Sequence, residues 1–281
     1  MIIELAIGDA YGAGFEYVPR EIIERHNDLS KYISHQKWET IPGTYTDDTQ
    51  MSLALCEMLV DGCDWTRLNL ANKFVRVFKR DERNGYAGRF YDFLKSIESG
   101  EEFLKRMNPN SDKSGGAMRA SVIGYLPDLE NVLEYSSFQA SLTHDTEIGR
   151  NASIASSLMT HYFLYDLGGK KELGKFIEEH VLGKWDEPWK RDVRSRGDEH
   201  VRAAITAVMQ EDSLSSVLRR SINFGGDVDT VATISMAAAS CCDELEQDIP
   251  IHLIECLENG EYGRDYLIML EKDLKGKFGF L

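Results

Sequence analysis

The chain has 281 residues, 42% of them hydrophobic and 28% charged, which supplies a sizeable core and excludes disorder as the main state. A formal net charge of −15 repels polyphosphate backbones, so direct nucleic-acid backbone binding is not expected, although a bound cation can reverse the sign locally for a small phosphorylated ligand. The five cysteines include no C-x-x-C pair, and neither a basic-then-apolar leader nor a long apolar span is seen, so the expectation is a cytoplasmic protein without a disulfide framework or membrane helix.

Helical periodicity dominates from there on. Residues 49–60 place Met51, Leu55, Met58 and Leu59 on one side, with Asp47 and Asp48 just before them as anionic caps. Residues 66–80 align Leu70, Phe74, Val77 and Phe78, and 145–166 is a long Ala- and Ser-rich run around Ile148, Ile154, Ala155 and Leu158. Further helices are predicted over 170–181, 198–210, 213–222, the small-residue run 229–242, and 264–275. Alternating pieces such as Lys31–Ser34 are too brief to build a sheet, and neither a linker tract nor a solenoid period divides the chain. The reading is one compact all-α domain over 1–281, with a monomer as the default state.

Two acidic clusters carry the chemistry: Thr46-Asp47-Asp48-Thr49 and Gly225-Gly226-Asp227-Val228-Asp229-Thr230. Either alone reads most simply as a helix cap. Together they offer four carboxylates and several hydroxyls, an oxygen-only set suited to hard cations such as Mg2+, Mn2+ or Ca2+. Brought into one pocket, that much negative charge needs cations, and two adjacent metals are a natural answer. Glu16 is a third acidic candidate, after glycines that either pack helices or form a loop leaning over a ligand. Asp9 reads as a structural cap behind the site.

At this point five segments converge. Gly8-Asp9-Ala10-Tyr11-Gly12 with Glu16, Thr46-Asp47-Asp48-Thr49, Ser114-Gly115-Gly116-Ala117-Met118-Arg119, Thr143-His144, and Gly225-Gly226-Asp227-Val228-Asp229-Thr230 resemble, in order and rough spacing, the motifs of the ADP-ribosylglycohydrolase family. The resemblance implies an orthogonal bundle of helices around two Mg2+ ions, with Mn2+ able to substitute, and ADP-ribose as the recognised unit. Carried over by position, Thr46, Asp47 and Asp48 bind one metal and Asp227, Asp229 and Thr230 the other. Glu16 sits at the metals on a mobile opening loop and is the first candidate acid/base, with Asp47 or Asp48 second. Ser114, Gly115, Gly116 and Ala117 present backbone N–H groups to the pyrophosphate, and His144 approaches the phosphate or ribose. Two departures stand out: Ser114 replaces the usual Asn, and Val228 replaces a more frequent Thr or Cys.

The implied activity is Mg2+-dependent hydrolysis of the bond between ADP-ribose and an acceptor, releasing ADP-ribose, with the acceptor left open. One competing reading is an inactive ADP-ribose-binding or structural member of the same fold. Another is a His-Asp metal phosphohydrolase built on His144-Asp145, with His26, His35, His161, His180 or His200 as partners. Trp185 and Trp189 read as loop aromatics packed on the core, and Arg76, Lys79, Arg80 and Arg83 as a solvated basic face.

Overall fold

A computed structural model describes residues 1–38 and 40–280. Among these residues the helices are, in chain order, α1 (Ile2–Gly12), α2 (Arg20–His26), α3 (Asp47–Asp61), α4 (Arg67–Arg80), α5 (Gly88–Lys95), α6 (Gly100–Arg106), α7 (Gly115–Met118), α8 (Leu129–Ala140), α9 (Glu147–Leu164), α10 (Leu173–His180), α11 (Gly197–Gln210), α12 (Leu214–Asn223), α13 (Val228–Ala239), α14 (Ile251–Glu255) and α15 (Arg264–Phe278). Strand-type pairing is confined to isolated bridges, such as Val193 with Gly226 and Lys113 with Arg196. The all-helical reading therefore holds, and each predicted helix has its counterpart. The run expected over 170–181 is a short 3-10 turn at Lys170–Glu172 followed by α10. No described helix is long and apolar enough to cross a membrane.

The fold is organised around α13, which is buried along its whole length. Its alanines and Gly8 of α1 let the two helices approach closely; a Cβ on Gly8 would lie 2.5 Å from the Ala232 carbonyl oxygen. Gly12, one turn along the same face, abuts the backbone of Asp229 in the same way. The glycines of the first motif are thus helix-packing contacts rather than a loop over a ligand. Replacing Gly12 by Ala should push α1 off α13 and destabilise the protein by about 1–3 kcal/mol, read by denaturant unfolding. Helices α11 and α12 flank α13, and α9 packs on α11. One hydrophobic cluster runs from Met1 to Leu274.

Two features depart from the sequence reading. Asp47 and Asp48 lie inside the first turn of α3 rather than before it. The basic run is only half solvated: Arg76 and Lys79 are exposed, but Arg80 pairs with Glu57, and the buried Arg83 pairs with Glu258 and Asp81 over the Tyr45 ring at 3.9 Å. These arginines offset the buried Glu57 and the half-buried Glu258 and Asp81 instead of facing water. Trp185 and Trp189 are buried, as expected.

Candidate metal centre and active site

The first turn of α3 is capped from another helix. Asp9, buried on α1, accepts from Thr46 N at 2.9 Å and Thr46 Oγ1 at 2.6 Å, and from Thr49 N at 2.9 Å and Thr49 Oγ1 at 2.6 Å. Asp9 thus satisfies the free N–H groups of the helix start. The carboxyls of Asp47 and Asp48 are released from capping and are almost fully buried, and Asp48 Oδ1 has no partner.

The second cluster is shaped by two residues in the left-handed region, Gly225 at φ 80° and Gly226 at φ 87°. The resulting turn is laced to the preceding loop: Val193 N donates to Gly225 O at 2.8 Å, and Asp227 N to Val193 O at 3.0 Å. Tyr17 N donates to Gly226 O at 2.8 Å, which draws Glu16 to the same spot. Glu16, Asp227 and Asp229 consequently offer oxygens that all lie within 4.8 Å of one another.

Mutual repulsion ties the two clusters together. Burial, followed by the charges of Asp227, Asp47 and Asp9, pushes the Glu16 carboxyl up to about 9. Burial raises Asp47 well above its usual range, helped by Asp9 and Asp227, and raises Asp48, helped by Asp47, Asp9 and Asp227. Asp229 is raised by burial, Glu16, Asp227 and Asp48. Asp227 is the exception. Burial pushes it up, but His200, together with Asp229 and Thr230, holds it below the usual carboxylate range. His200 Nε2 stands 3.0 Å from Asp227 Oδ2, a close contact that misses hydrogen-bond geometry.

These residues suit a divalent cation. The donors are hard oxygens, one is orphaned, and the repelled carboxyls lack an arginine or lysine partner among the described residues. Glu16, Asp227 and Asp229 form one group able to hold a metal; Asp47 and Asp48 lie within its electrostatic reach but outside that group. Thr230 N donates to Asp229 Oδ1 at 3.0 Å, and the Thr46 hydroxyl donates to Asp9.

On the adjoining side, Gly115 and Gly116 press against the His144 ring and side chain. The backbone N–H of Ala117 is already committed to Ser114 O at 2.7 Å, as a helical turn requires, so it is not free for a pyrophosphate. The buried Gln139 pins this turn through Gly116 O at 2.6 Å. A row of hydrogen bonds sets His144. Arg119 Nη2 donates to Thr143 Oγ1 at 2.8 Å, and the proton of this buried hydroxyl finds its acceptor, among the described residues, in His144 Nδ1 at 2.7 Å. His144 therefore carries its proton on Nε2, beside Gly115. Burial, then the Arg119 charge, pushes its pKa down to about 3, so it stays neutral.

A cavity of about 410 Å³ opens next to Glu16 and Asp227, lined by Tyr17, Trp189, Arg191, Arg194, Glu199 and Gly226 among others. Sequence reasoning missed Arg119, Gln139 and His200 as supports; their partners lie far along the chain and leave no local pattern. Among the described residues no group able to hold a metal contains a histidine, and Asp145 is paired with Arg150, so the His-Asp reading gains no support.

Comparison with known proteins agrees with this geometry. The ADP-ribosylglycohydrolase family profile matches residues 1–279. The chain is 26% identical to the ADP-ribosylhydrolase ARH3 of Mus musculus, over 86% of this chain and 82% of the relative. It is 25% identical to the ADP-ribosyl-[dinitrogen reductase] glycohydrolase of Rhodospirillum rubrum, over 88% and 85%. It is 26% identical to the ADP-ribosylarginine hydrolase Tri1 of Serratia proteamaculans, over 82% and 67%. A solved ADP-ribosylglycohydrolase-related protein complex superposes with a TM-score of 0.76 at 19% identity, covering 99% of this chain and 96% of its own, which shows the shared all-helical fold. With the four acidic and glycine-rich segments gathered around one centre and the family profile spanning nearly every residue, the chain belongs to the ADP-ribosylglycohydrolase family of hydrolases.

Proposed function

We propose that the protein hydrolyses the glycosidic bond between ADP-ribose and an acceptor, and that it needs Mg2+, or Mn2+ in its place, to do so. The observation that carries this reading is the convergence of Glu16, Asp227 and Asp229 within 4.8 Å, with Asp47 and Asp48 repelled by the same charges. Glu16, Asp47, Asp48, Asp227 and Asp229, with the hydroxyls of Thr46 and Thr230, would hold the cations. When bound, divalent cations offset this negative charge and polarise a water or the ribose hydroxyls.

The chain's own groups supply the rest. His144, neutral and protonated on Nε2, donates to an oxygen of the ligand. Gly115 leaves room for that ring, because a Cβ there would lie 2.9 Å from it. Glu16 directly precedes Tyr17, which lines the cavity, and its own carbonyl is held by His35 Nε2 at 2.8 Å. Its carboxyl manages the proton as positive charge develops on the sugar and the acceptor leaves. Asp47 or Asp48 is the second candidate for that task.

Glu16→Gln tests the assignment. Turnover should fall by about 10²–10⁴-fold, as for loss of a general acid or base, while ADP-ribose affinity changes little. Equal losses in turnover and affinity would make Glu16 merely structural. Assaying ADP-ribosylated arginine, serine and base conjugates, with Mg2+ and with chelator, identifies the acceptor. Tight ADP-ribose binding with no release from any conjugate would favour an inactive member of the fold.

A further inference from the structure

His200 is fully buried on α11 and touches the carboxylate centre through one edge of its ring. Its Nδ1 lies 2.7 Å from the carbonyl oxygen of Arg196, one turn back. A carbonyl only accepts, so Nδ1 is a donor and the ring's rotation is fixed by the helix itself. That carbonyl belongs to a segment fastened to the loop before Ser114, through the Lys113–Arg196 bridge and Gly197 N donating to Asp112 O at 3.0 Å. The opposite nitrogen, Nε2, has no hydrogen-bond partner and faces Asp227 Oδ2 at 3.0 Å. A histidine that only capped its own helix would have no need to aim a buried, unpartnered nitrogen at a carboxylate.

We propose that His200 is a positioning residue for the cation site: it holds Oδ2 of Asp227 and so fixes which face of that carboxylate meets Glu16 and Asp229. Asp227 begins the chain's approach to α13 and shares its backbone with the Gly225–Gly226 turn, so an untethered side chain could rotate away from the group. Partners that orient ligating side chains commonly matter for metal affinity as well as for activity. The inference rests on the metal reading of the site.

The experiment compares His200→Gln with His200→Asn. The glutamine amide reaches where Nε2 stands and keeps the Asp227 contact. The asparagine amide reaches only as far as Nδ1, keeps the Arg196 contact and loses Asp227. Mg2+ and Mn2+ binding is measured calorimetrically on metal-free protein, with thermal unfolding in chelator as the control for packing. The asparagine variant should bind its tightest cation about 10–100-fold more weakly than the unaltered protein, while the glutamine variant stays close to it. Equal affinities in the two variants would overturn the placement of His200 and leave the metal reading standing. Absence of cation binding in the unaltered protein would overturn the metal reading and this inference with it. In the unaltered protein, the imidazole nitrogen signals of His200 should also shift on adding Mg2+. Unmoved signals under saturating cation would count against the role even if neither variant folds.

Discussion

Asp229→Asn is expected to cost the protein its cation and its turnover while making the metal-free chain more stable. Asparagine keeps the volume at the start of α13, together with an oxygen that can accept from Thr230 N, a bond of 3.0 Å in the native chain. What disappears is a charge facing Glu16, Asp227 and Asp48. A directly ligating carboxylate should matter more than the supporting partners of a metal site, so turnover should drop by more than about 100-fold. The Asp229 carboxyl is held well above its usual range, mainly by burial, so its ionised form opposes folding at neutral pH. Removing it should raise the Tm in chelator, the familiar exchange of function for stability at a strained site. Calorimetric titration, turnover and thermal unfolding read the three effects separately. Full turnover by this variant in chelator would end the metal mechanism.

The second large effect is a coupling between pH, Mg2+ and stability. Glu16, Asp47, Asp48 and Asp229 all hold their protons more tightly in the folded chain than an unfolded chain would. Folding therefore takes up protons, and stability is full at low pH and is lost as pH rises. For Glu16 the window runs from the ordinary value of 4.5 to about 9. Asp227 works in the opposite sense, but its folded value lies below 3.8, so its loss of stability falls at more acidic pH and leaves that window clear. His144, pushed from 6.5 down to about 3, opposes this trend below pH 6.5, so in chelator the Tm should decline from neutral to mildly alkaline pH. Free Mg2+ at a hundred times its Kd should restore about 2.7 kcal/mol per site, or roughly 5–10 °C for a chain of this size. Because the cation displaces protons, its affinity should climb with pH. A Tm in chelator that is flat across that range, and indifferent to Mg2+, would contradict the picture.

How much of this was legible in the sequence depends on which faces are buried. Helices α4, α11 and α12 carry apolar stripes beside polar faces, and their period showed. Helix α1 is buried on nearly every side, so no stripe exists, and its glycines read either as packing contacts or as a loop. Helix α8 announces itself only by Asp128, whose side chain caps it, and went unread. The acidic motifs were visible because their constraints are local: two left-handed glycines before Asp227, and two carboxylates in one helical turn. Asp9 read as a cap, but the turn it caps was not legible, since it lies 37 to 40 residues away. The same distance problem concealed His200 behind Asp227 and Arg119 behind His144.

The Arg119–Thr143–His144 row has a sense of direction that bears on which molecules fit. Arg119 gives to the Thr143 hydroxyl, and because that buried hydroxyl has His144 Nδ1 as its acceptor, the same polarity passes outward through the ring. Whatever touches the far edge of the imidazole must bring a lone pair. A phosphoryl, hydroxyl or carbonyl oxygen meets that demand, whereas an ammonium or guanidinium placed there would meet hydrogen with hydrogen. The protein thus screens ligands at this edge by what they can receive, before any metal takes part.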